Sequence, residues 1–419
     1  MKYIIVGKDG LSSALAYALK NEGNDVYFYK QKEEASDILK GYVNIIEDWE
    51  EIKDDVDCII FEDTGFGTRA DELKEEGYWV VGASSFCDKL ETDREFGTEI
   101  AKKMDVSIPE VKSFSSFEEG KEFLDSKEGA GKRWVIKFNG VAGNIKDLLY
   151  ISEMDDNKDL LKMFDFYSNH WKPEYGKVDF VLQEYIEGIE LGITGFFNGE
   201  CFIMPYYIDR EYKRWLAGDL SVNTGQEGEV QYWIPKPTKF FKKTLYKLED
   251  DLKKAKYVGV FNVNGILDSK GNYWFLEFTP RFGYNSQSIE IEVFKKNGYK
   301  ALDWMKYDKM NIKELWAMGV LITVPPYPNS SPDLYLSVGK GLPLLKTPKE
   351  GFYPHDLEYK DEEWITGGVL GYVCSVCGVG DGLEEVRKEV YKRAEEIILP
   401  KKQYRIDIGE KNPFEGVKI

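Results

Sequence analysis

Histidine is nearly absent from this chain of 419 residues, which contains only His170 and His355. Two histidines cannot build the histidine clusters that hold most catalytic zinc ions, and they nearly exclude a histidine-based triad. Long apolar runs are missing too, since none approaches the roughly 20 residues that a transmembrane helix needs. We therefore expect no membrane partner. The chain starts directly with a strand, so we expect no signal peptide.

Cysteine is scarce, with five residues in all. An odd number in mostly apolar contexts is typical of reduced thiols and predicts a cytoplasmic protein. Cys374 and Cys377 form a C-x-x-C pair, but they follow a Gly/Val-rich strand and no second pair accompanies them. A packed strand explains this pair better than a redox or metal site does.

Positive charge is in deficit, because 74 acidic residues outnumber 56 lysines and arginines and give a formal net charge of −18. Such a surface repels nucleic acid and anionic membranes, so we expect no direct nucleic-acid binding. Phosphate chemistry is not excluded, since it needs only a local cluster of positive charge.

Strand and helix signals alternate through the first hundred residues, which is typical of βαβ units with a parallel sheet. The predicted strands cover residues 3–6, 26–29, 58–61 and 79–81, and the predicted helices cover 11–20, 69–76 and 92–104. Gly7 and Gly10 lie in the first strand-to-helix turn, where they let the backbone present N–H groups to an anion. The full dinucleotide fingerprint is missing, so nicotinamide binding is not favoured.

The segment 267–283 predicts two strands joined by a tight turn at residues 269–272. Glu277 lies within its apolar run, so we expect it to be buried and compensated. Thr279 and Arg281 follow at steps of two residues and share its face. A carboxylate, a hydroxyl and a guanidinium on one face suit a metal–phosphate site. The alternative is a buried ion pair between Glu277 and Arg281.

Other residues supply what ATP requires, namely cations for its phosphates, an apolar slot for adenine and a carboxylate for ribose. Arg94 and Lys137 are the candidate cations, the strand end 183–186 is able to line adenine, and Glu190 suits a ribose hydroxyl. Alone, Lys137 is more typical of a solvated strand edge and Glu190 of a solvated loop. The ordered set predicts an ATP site.

These motifs resemble the ATP-grasp ligases, and within them the glycinamide ribonucleotide synthetases (phosphoribosylamine–glycine ligases). The matching segments are residues 134–137, 181–190, 213–225 (a loop motif), 272–283, 365–371 and 404–409. The resemblance implies an α/β protein, α+β in its ATP-binding part. Its ATP-grasp domain (109–318) would follow a parallel-sheet substrate-binding domain (1–108) and precede a small mixed C-terminal domain (319–419).

The resemblance also implies an activity. An ATP-dependent carboxylate–amine ligase would form an amide through an acyl phosphate, converting phosphoribosylamine, glycine and ATP to glycinamide ribonucleotide, ADP and phosphate in purine biosynthesis. ATP and Mg²⁺ (or Mn²⁺) would be its cofactors, and the protein would be a monomer or homodimer. Residues 109–185 would form a mobile lid, because acyl phosphates must be kept from water.

Each site residue takes its role from the same resemblance. The implied roles are phosphate binding by Arg94 and Lys137, adenine binding by Gln183, Glu184 and Ile186, ribose binding by Glu190, metal binding by Glu277 and Thr279, phosphoryl stabilisation by Arg281, and substrate positioning by Asp219, Asn223 and Thr224. Asp268 is a further candidate metal ligand, which would compensate for the weak hydroxyl ligand Thr279.

The chain also departs from the family pattern. Thr279 stands where the family has asparagine, and the glycine-rich flap, residues 140–146, has one glycine fewer and a displaced lysine. Residues 9–14 and 61–65, which would hold phosphoribosylamine, are both rewritten. Two alternatives therefore stay open: the same ligase chemistry on another amine, such as an amine-bearing nucleotide, and a catalytically inactive nucleotide-binding scaffold.

Overall fold

The computed structural model describes residues 1–139, 148–329, 332–368 and 370–417. The chain divides into two compact units. Unit 1 comprises Met1–Val106, Glu190–Gly265 and Glu277–Ile419, and unit 2 comprises Ser107–Ile189 and Ile266–Leu276. The boundaries of the three domains drawn from the sequence stay predictions. Within the described ranges, every helix is too short or too polar to cross a membrane.

Unit 1 begins with a five-stranded parallel sheet, as the alternation of apolar runs and helix signals predicts. Its strands are β1 (Lys2–Gly7), β2 (Asp25–Lys30), β3 (Asn44–Ile46), β4 (Cys58–Phe61) and β5 (Val80–Val81). Its helices are α1 (Ser13–Asn21), α2 (Gly67–Glu76), α3 (Ser85–Thr92) and α4 (Arg94–Ala101). The strand order is β3-β2-β1-β4-β5.

The helix predicted over residues 92–104 is confirmed as α4, but it begins only at Arg94, because Asp93 separates it from α3, and it ends at Ala101. Asp93 has an extended backbone, with φ −110° and ψ 97°, and its carboxylate accepts the N–H of Phe96. Aspartate therefore acts as an N-cap for α4 instead of continuing α3.

Unit 2 is built on a four-stranded antiparallel sheet with the order β6-β9-β7-β8. The strands are β6 (Val111–Phe114), β7 (Trp134–Phe138), β8 (Tyr150–Ile151) and β9 (Phe180–Glu184), and the helices are α5 (Phe117–Asp125) and α6 (Lys158–His170). Buried aromatic side chains from both layers fill the core between them. The strand end predicted at residues 183–186 is confirmed, since β9 ends at Glu184.

An eight-stranded sheet follows, with the order β14-β13-β10-β11-β12-β15-β20-β17, and a three-stranded sheet has the order β16-β19-β18. The strands are β10 (Ile189–Phe197), β11 (Tyr206–Leu216), β12 (Leu220–Ile234), β13 (Gly259–Leu267), β14 (Tyr273–Thr279), β15 (Leu315–Thr323), β16 (Pro343–Leu344), β17 (Phe352–Pro354), β18 (Leu357–Lys360), β19 (Glu363–Thr366) and β20 (Tyr372–Gly380). The helices are α7 (Lys239–Lys243), α8 (Glu249–Lys254), α9 (Ser286–Lys296), α10 (Pro332–Val338) and α11 (Leu383–Glu396).

Of two segments with sequence predictions in this part, the first differs from expectation and the second confirms it. Residues 213–225, predicted as a loop, lie mostly in β11 and β12, and Gly218 and Asp219 turn the chain between them with φ values of 73° and 55°. Strand β20 begins at Tyr372. It contains Cys374 and Cys377, both fully buried, so the packed strand predicted for this pair is confirmed.

Candidate functional site

The end of β14 carries two predicted metal ligands of unit 1. Glu277 is exposed rather than buried, so that expectation is wrong. The physical reason is that β14 is the edge strand of the sheet, where a side chain surrounded by apolar residues in sequence still reaches solvent. Thr279 is half-buried and follows two residues later on the same face.

Arg281 is fixed by carboxylates other than the one predicted. Its Nε lies 2.9 Å from Oε1 of Glu91 and 3.5 Å from Oδ1 of Asp63. Burial acts to lower the pKa of Arg281, but the charges of Glu91, Asp63 and Glu277 raise it overall. The guanidinium is therefore held charged and oriented, while Glu277 contributes through its field and not through a close ion pair.

Glu190 and Lys213 form an ion pair on neighbouring strands, with 2.6 Å between Oε1 and Nζ. Lys213 also lies 3.1 Å from Glu211. Burial acts to lower the pKa of Lys213, but Glu211, Glu190 and Glu277 together raise it well above its ordinary value. The structure thus gathers three carboxylates around one lysine. Sequence reasoning gave Lys213 and Glu211 no role, although their spacing of two on one strand was the available signal.

The donor set of Glu277 and Thr279 fits a magnesium ion that also binds phosphates. In the described part of the chain, no group of three or more His, Cys, Asp or Glu side chains is placed to hold a metal ion. Mg²⁺ needs no such group, because it commonly binds through one or two carboxylates together with substrate phosphates.

Asp268, the third predicted metal ligand, lies in unit 2 and shapes the turn after β13. Its Oδ1 accepts the backbone N–H groups of Lys270 at 2.9 Å and Asn272 at 2.8 Å. Its Oδ2 accepts side-chain N–H groups of Asn272 and Trp274, both at 2.9 Å. These hydrogen bonds lower the pKa of Asp268, and the one from Trp274 has the largest effect. The geometry favours a turn role over metal binding.

The remaining predicted residues of unit 2 lie on, or directly after, β7 and β9. Lys137 on β7 donates from Nζ to Oε1 of Gln183 on β9 at 3.0 Å, so the phosphate and adenine candidates are in contact. Glu184 ends β9 and lies 3.4 Å from Lys132, and Ile186 follows half-buried. The predicted flap, residues 140–146, lies outside the described residues.

In unit 1, the predicted substrate-positioning residues belong to the β11–β12 hairpin. Arg405, only 1% exposed, donates from Nη2 to Oδ1 of Asp219 at 2.8 Å and from Nη1 to the carbonyl of Arg214 at 2.8 Å. Thr224 donates its hydroxyl to the carbonyl of Lys213 at 2.9 Å. Sequence reasoning missed Arg405 as a positioning residue, although it lies in the matched segment 404–409.

Two more predicted residues lie near these elements in sequence. Asn223 is half-buried and pairs with Arg214 across the hairpin. Arg94 is the first residue of α4 and is exposed. Both belong to unit 1, together with Glu190, Glu277, Thr279 and Arg281.

The turn between β1 and α1 also matches a sequence prediction, with an unexpected partner. Its N–H groups converge on an anion, as predicted, but the anion is the carboxylate of Glu62 just after β4. Oε1 accepts from Gly10 and Leu11 at 3.1 Å each, and Oε2 accepts from Ser12 at 2.6 Å. Burial raises the pKa of Glu62 to about 7.

Residues 92–286 match the family model described as the phosphoribosylglycinamide synthetase ATP-grasp (A) domain. The chain contains an ATP-grasp domain. It is 26% identical over 426 residues to the phosphoribosylamine–glycine ligase of Thermotoga maritima, covering 97% of this chain and 98% of that one. The ligase of the same name from Halalkalibacterium halodurans is 23% identical over 354 residues, covering 81% and 78%.

Solved structures with the same fold cover nearly the whole chain, including the regions on either side of residues 92–286. The crystal structure of the Thermotoga maritima ligase has a TM-score of 0.69 at 22% identity and covers 97% of this chain and 100% of that one. N5-carboxyaminoimidazole synthetase from Staphylococcus aureus complexed with ADP has a TM-score of 0.57 at 13% identity, covering 94% and 97%. The predicted fold class and the resemblance drawn from the motifs are confirmed.

Proposed function

We propose that the chain is an ATP-dependent carboxylate–amine ligase that joins glycine to phosphoribosylamine. Relatives with this activity in their name align over 98% and 78% of their own lengths. The observation that carries the proposal is the cluster at the end of β14, where Glu277, Thr279 and the oriented guanidinium of Arg281 lie within an ATP-grasp domain.

The reaction balances in two steps. A carboxylate oxygen of glycine attacks the γ-phosphorus of ATP, the bond to the β-phosphate oxygen breaks, and ADP leaves with that electron pair. The acceptor amine then attacks the carbonyl carbon of the acyl phosphate. Phosphate leaves, the nitrogen loses a proton, and an amide remains.

Unit 1 supplies the groups that act on the transferring phosphoryl group. Arg281 faces the developing negative charge, and because Glu91 and Asp63 already fix its orientation, little reorganisation is needed during the reaction. Lys213 adds a second positive charge, and Glu190 binds the ribose hydroxyls of the nucleotide. Arg94 is assigned to the phosphates.

Glu277 and Thr279 would hold the metal of this ligase. Mg²⁺ or Mn²⁺ neutralises phosphate charge when it is bound. A threonine hydroxyl is a weaker neutral ligand than an asparagine amide oxygen. Glu277 therefore provides most of the protein's share of metal binding.

Unit 2 supplies groups for the nucleotide. Lys137 is assigned to a phosphate, and Gln183, Glu184 and Ile186 are assigned to the adenine ring. The Lys137–Gln183 hydrogen bond supports this assignment, since it fixes the lysine head group near the adenine residues. Residues 109–185 are assigned as the lid that keeps water from the acyl phosphate.

The β11–β12 hairpin positions the carboxylate and the amine. Asp219, Asn223 and Thr224 are assigned to these substrates. Arg405 orients Asp219 through a hydrogen bond from its Nη2 to Oδ1 of Asp219. Because Arg405 acts through another residue, its replacement is expected to raise KM for the substrates more than it lowers kcat.

The location and assembly belong to this proposal as well. All five cysteines are free thiols, which supports a cytoplasmic location. A monomer or a homodimer is proposed, and sedimentation at several protein concentrations distinguishes them.

An ADP-release assay with ATP, Mg²⁺, glycine and phosphoribosylamine tests the function. We expect ADP release that requires both substrates, and a product whose mass equals glycine plus phosphoribosylamine minus water. Omission of each substrate in turn is the control. ATP binding in calorimetry without any turnover would contradict the ligase and favour the inactive scaffold.

A further inference from the structure

Strands β11 and β12 do not pair continuously beside the residues assigned to the substrates. One residue of β11, Lys213, stands opposite residues 224–227 of β12, because the register of the two strands shifts there. We call residues 224–227 the β12 bulge. Bulges are frequent next to active sites, because the extra residues turn side chains in directions that a regular strand does not allow. The β12 bulge begins with Thr224, one of the assigned residues, and ends with Glu227.

Glu227 is completely buried, and only one of its two carboxyl oxygens has a hydrogen-bond partner. Oε1 accepts the hydroxyl of Tyr327. Oε2 is buried and has no hydrogen-bond partner in the described part of the chain. A buried acceptor without a donor costs free energy, so this oxygen favours the arrival of a proton or of a donor group.

Thr224 is the side chain that links this carboxyl group to the substrates. It is 8% exposed while Glu227 is 0% exposed, so it lies nearer to the surface of the protein. Its hydroxyl lies within hydrogen-bonding reach of Glu227 and donates to the carbonyl of Lys213 at 2.9 Å. Rotation about one bond turns the hydroxyl hydrogen from that carbonyl to the carboxylate. A hydroxyl both accepts and donates, so it can pass a proton from a substrate to the carboxylate behind it.

Glu227 is the group of this pocket that changes charge near neutral pH. Burial raises the pKa of Glu227 to about 7, and the hydroxyls of Tyr327 and Thr224 act to lower it. Burial also raises the pKa of Tyr372 to about 12 and that of Tyr327 further above its ordinary value, so both tyrosines stay uncharged. Arg405 is the cation that acts on Glu227. A carboxylate with a pKa near the working pH is suited to general-base catalysis.

We propose that Glu227 is the proton acceptor of amide formation and that the hydroxyl of Thr224 passes the proton to it. As the acceptor nitrogen bonds to the carbonyl carbon and phosphate leaves, the N–H proton moves to Oγ1 of Thr224. The hydroxyl proton of Thr224 moves to the Glu227 carboxylate, which gives it to water when the products leave. The inference rests on the proposed function, because only amide formation releases this proton.

Two measurements on Glu227→Gln separate this role from a structural one. Glycine-dependent scrambling of oxygen isotope in labelled ATP, without acceptor amine, reports acyl phosphate formation alone, and product formation with the amine reports both steps. The variant keeps the shape of the side chain but cannot take up the proton. We expect it to lower amide formation at least about a hundredfold while isotope scrambling stays measurable. Equal losses in both measurements, or normal amide formation, would overturn the proposal.

Matched variants control for burial and for the hydroxyl. Glu290 is also buried, accepts the hydroxyl of Tyr207 and has a raised pKa, but it lies outside the β12 bulge. Glu290→Gln is expected to leave amide formation unchanged. Thr224→Val removes the hydroxyl and should slow amide formation, whereas Thr224→Ser should keep most of the rate. Equal rates of the Val and Ser variants would overturn the role of Thr224.

The pH dependence of amide formation identifies the titrating group. The rate is expected to rise with pH around a midpoint near 7, because only the ionised Glu227 accepts a proton. Tyr327→Phe removes a hydrogen bond that lowers this pKa, so the midpoint should move up by about one pH unit. Tyr353→Phe, which removes a hydroxyl that donates to the buried Glu292 at 2.8 Å, should leave the midpoint in place. An unmoved midpoint in Tyr327→Phe overturns the proposal, even if Glu227→Gln does not fold.

Failure of the ligase assignment would give a different result. If the unaltered chain shows neither isotope scrambling nor ADP release, the proposed function is refuted and no proton acceptor is needed. If the unaltered chain shows both scrambling and amide formation, and Glu227→Gln does the same, only the role of Glu227 is refuted.

Discussion

The two units of this protein bury different chemistry. In unit 2 the core is aromatic, and the ring of Phe180 lies 5.3–5.7 Å from the rings of Phe117, Phe138 and Phe164. In unit 1 carboxyl groups lie among the apolar side chains. Glu229 accepts from Gln226, Gln231 and Ser286, and Glu290 accepts from the hydroxyl of Tyr207. The core of unit 2 is aromatic, whereas the apolar core of unit 1 also contains buried, hydrogen-bonded carboxyl groups.

Burial also shifts the titration of the carboxyl groups in the core of unit 1. Burial raises the pKa of Glu229 to about 7 and that of Glu290 to about 8 in unit 1. In unit 2 the lysine partner Lys132 lowers the pKa of Glu110, and the backbone N–H of Ser115 lowers that of Glu119. Burial is the main cause of the raised values, whereas a charge partner or a hydrogen bond causes the lowered ones.

The largest expected effect on stability comes from replacing Phe180 at the centre of the aromatic core. Phe180→Ala should lower the free energy of unfolding of unit 2 by about 3–5 kcal/mol, because a completely buried ring is replaced by a cavity. Urea unfolding combined with hydrogen exchange of β7 and β9 measures the loss. A loss below about 1 kcal/mol would mean that the core of unit 2 is loosely packed.

The matched change in unit 1 is Glu290→Gln, which replaces a buried carboxyl group with a neutral group of nearly the same shape. Because burial keeps Glu290 protonated at neutral pH, this substitution should cost less than about 1 kcal/mol. A cost as large as that of Phe180→Ala would show that Glu290 is ionised in the folded protein, and the comparison of the two cores would fail.

The next largest effect is expected on ligase turnover, from a change at Glu277 of unit 1. Glu277→Ala should reduce ligase turnover by about a hundredfold or more, because it removes the proposed carboxylate ligand of the metal. The melting temperature should stay unchanged, since the side chain is exposed. Initial rates over a range of Mg²⁺ concentrations measure the effect.

Glu363 on β19 provides the control, since it is another exposed strand carboxylate of unit 1. Glu363→Gln should leave both turnover and melting temperature as they are. Near-normal turnover of Glu277→Ala at every Mg²⁺ concentration would contradict the assignment of Glu277.

The local patterns of the sequence predicted most elements and the family, but not the neighbours of the site residues. The apolar run around Glu277 could not show that β14 is an edge strand, because edge position depends on the order of the whole sheet. Arg281 pairs with Glu91 and Asp63, which lie far from it in sequence and come close to it only in the fold. The helix break at Asp93 was a local signal, since aspartate is a frequent N-cap.

The turn at Glu62 is a second place where the sequence predicted the local structure but not its neighbour in the fold. Glycines at positions 7 and 10 predicted N–H groups facing an anion, and this is what the turn contains. That the anion comes from the chain itself depends on β4 lying beside β1, a pairing between residues more than fifty positions apart. Local sequence therefore predicts that this turn binds an anion, but it does not predict which group supplies the anion.

A pH series should sharpen the contrast between the units. The folded-state pKa values of Glu229, Glu290 and Asp356, about 7, 8 and 8, lie above their unfolded values, so folded unit 1 binds more protons near neutral pH. Their contribution is complete at low pH and is lost as the pH rises through 7–8. Lowering the pH from 8 to 6.5 should stabilise unit 1 by about 1–2 kcal/mol.

Lys30 and His355 of unit 1 oppose this trend and set the pH range of the series. Burial lowers the pKa of Lys30 to about 7 and that of His355 to about 3, so their contributions decline as the pH falls. The His355 contribution changes mainly below its ordinary pKa of about 6.5, which is why the series stops there. Hydrogen exchange of β20 against β9 measures both units in one sample. Equal pH responses of the two strands would contradict the division.

The smallest effect concerns Asp268, whose two possible roles predict opposite results. As a turn residue of unit 2 it binds Lys270, Asn272 and Trp274, and Asp268→Ala should loosen that turn while turnover and its Mg²⁺ dependence stay the same. As a metal ligand it would raise the Mg²⁺ concentration needed for half-maximal turnover. Asp268→Asn is the control, since its amide oxygen keeps the two backbone hydrogen bonds. A higher Mg²⁺ requirement in both variants would restore the metal role, because Asp268→Asn keeps the two backbone hydrogen bonds of the turn but loses the negative charge.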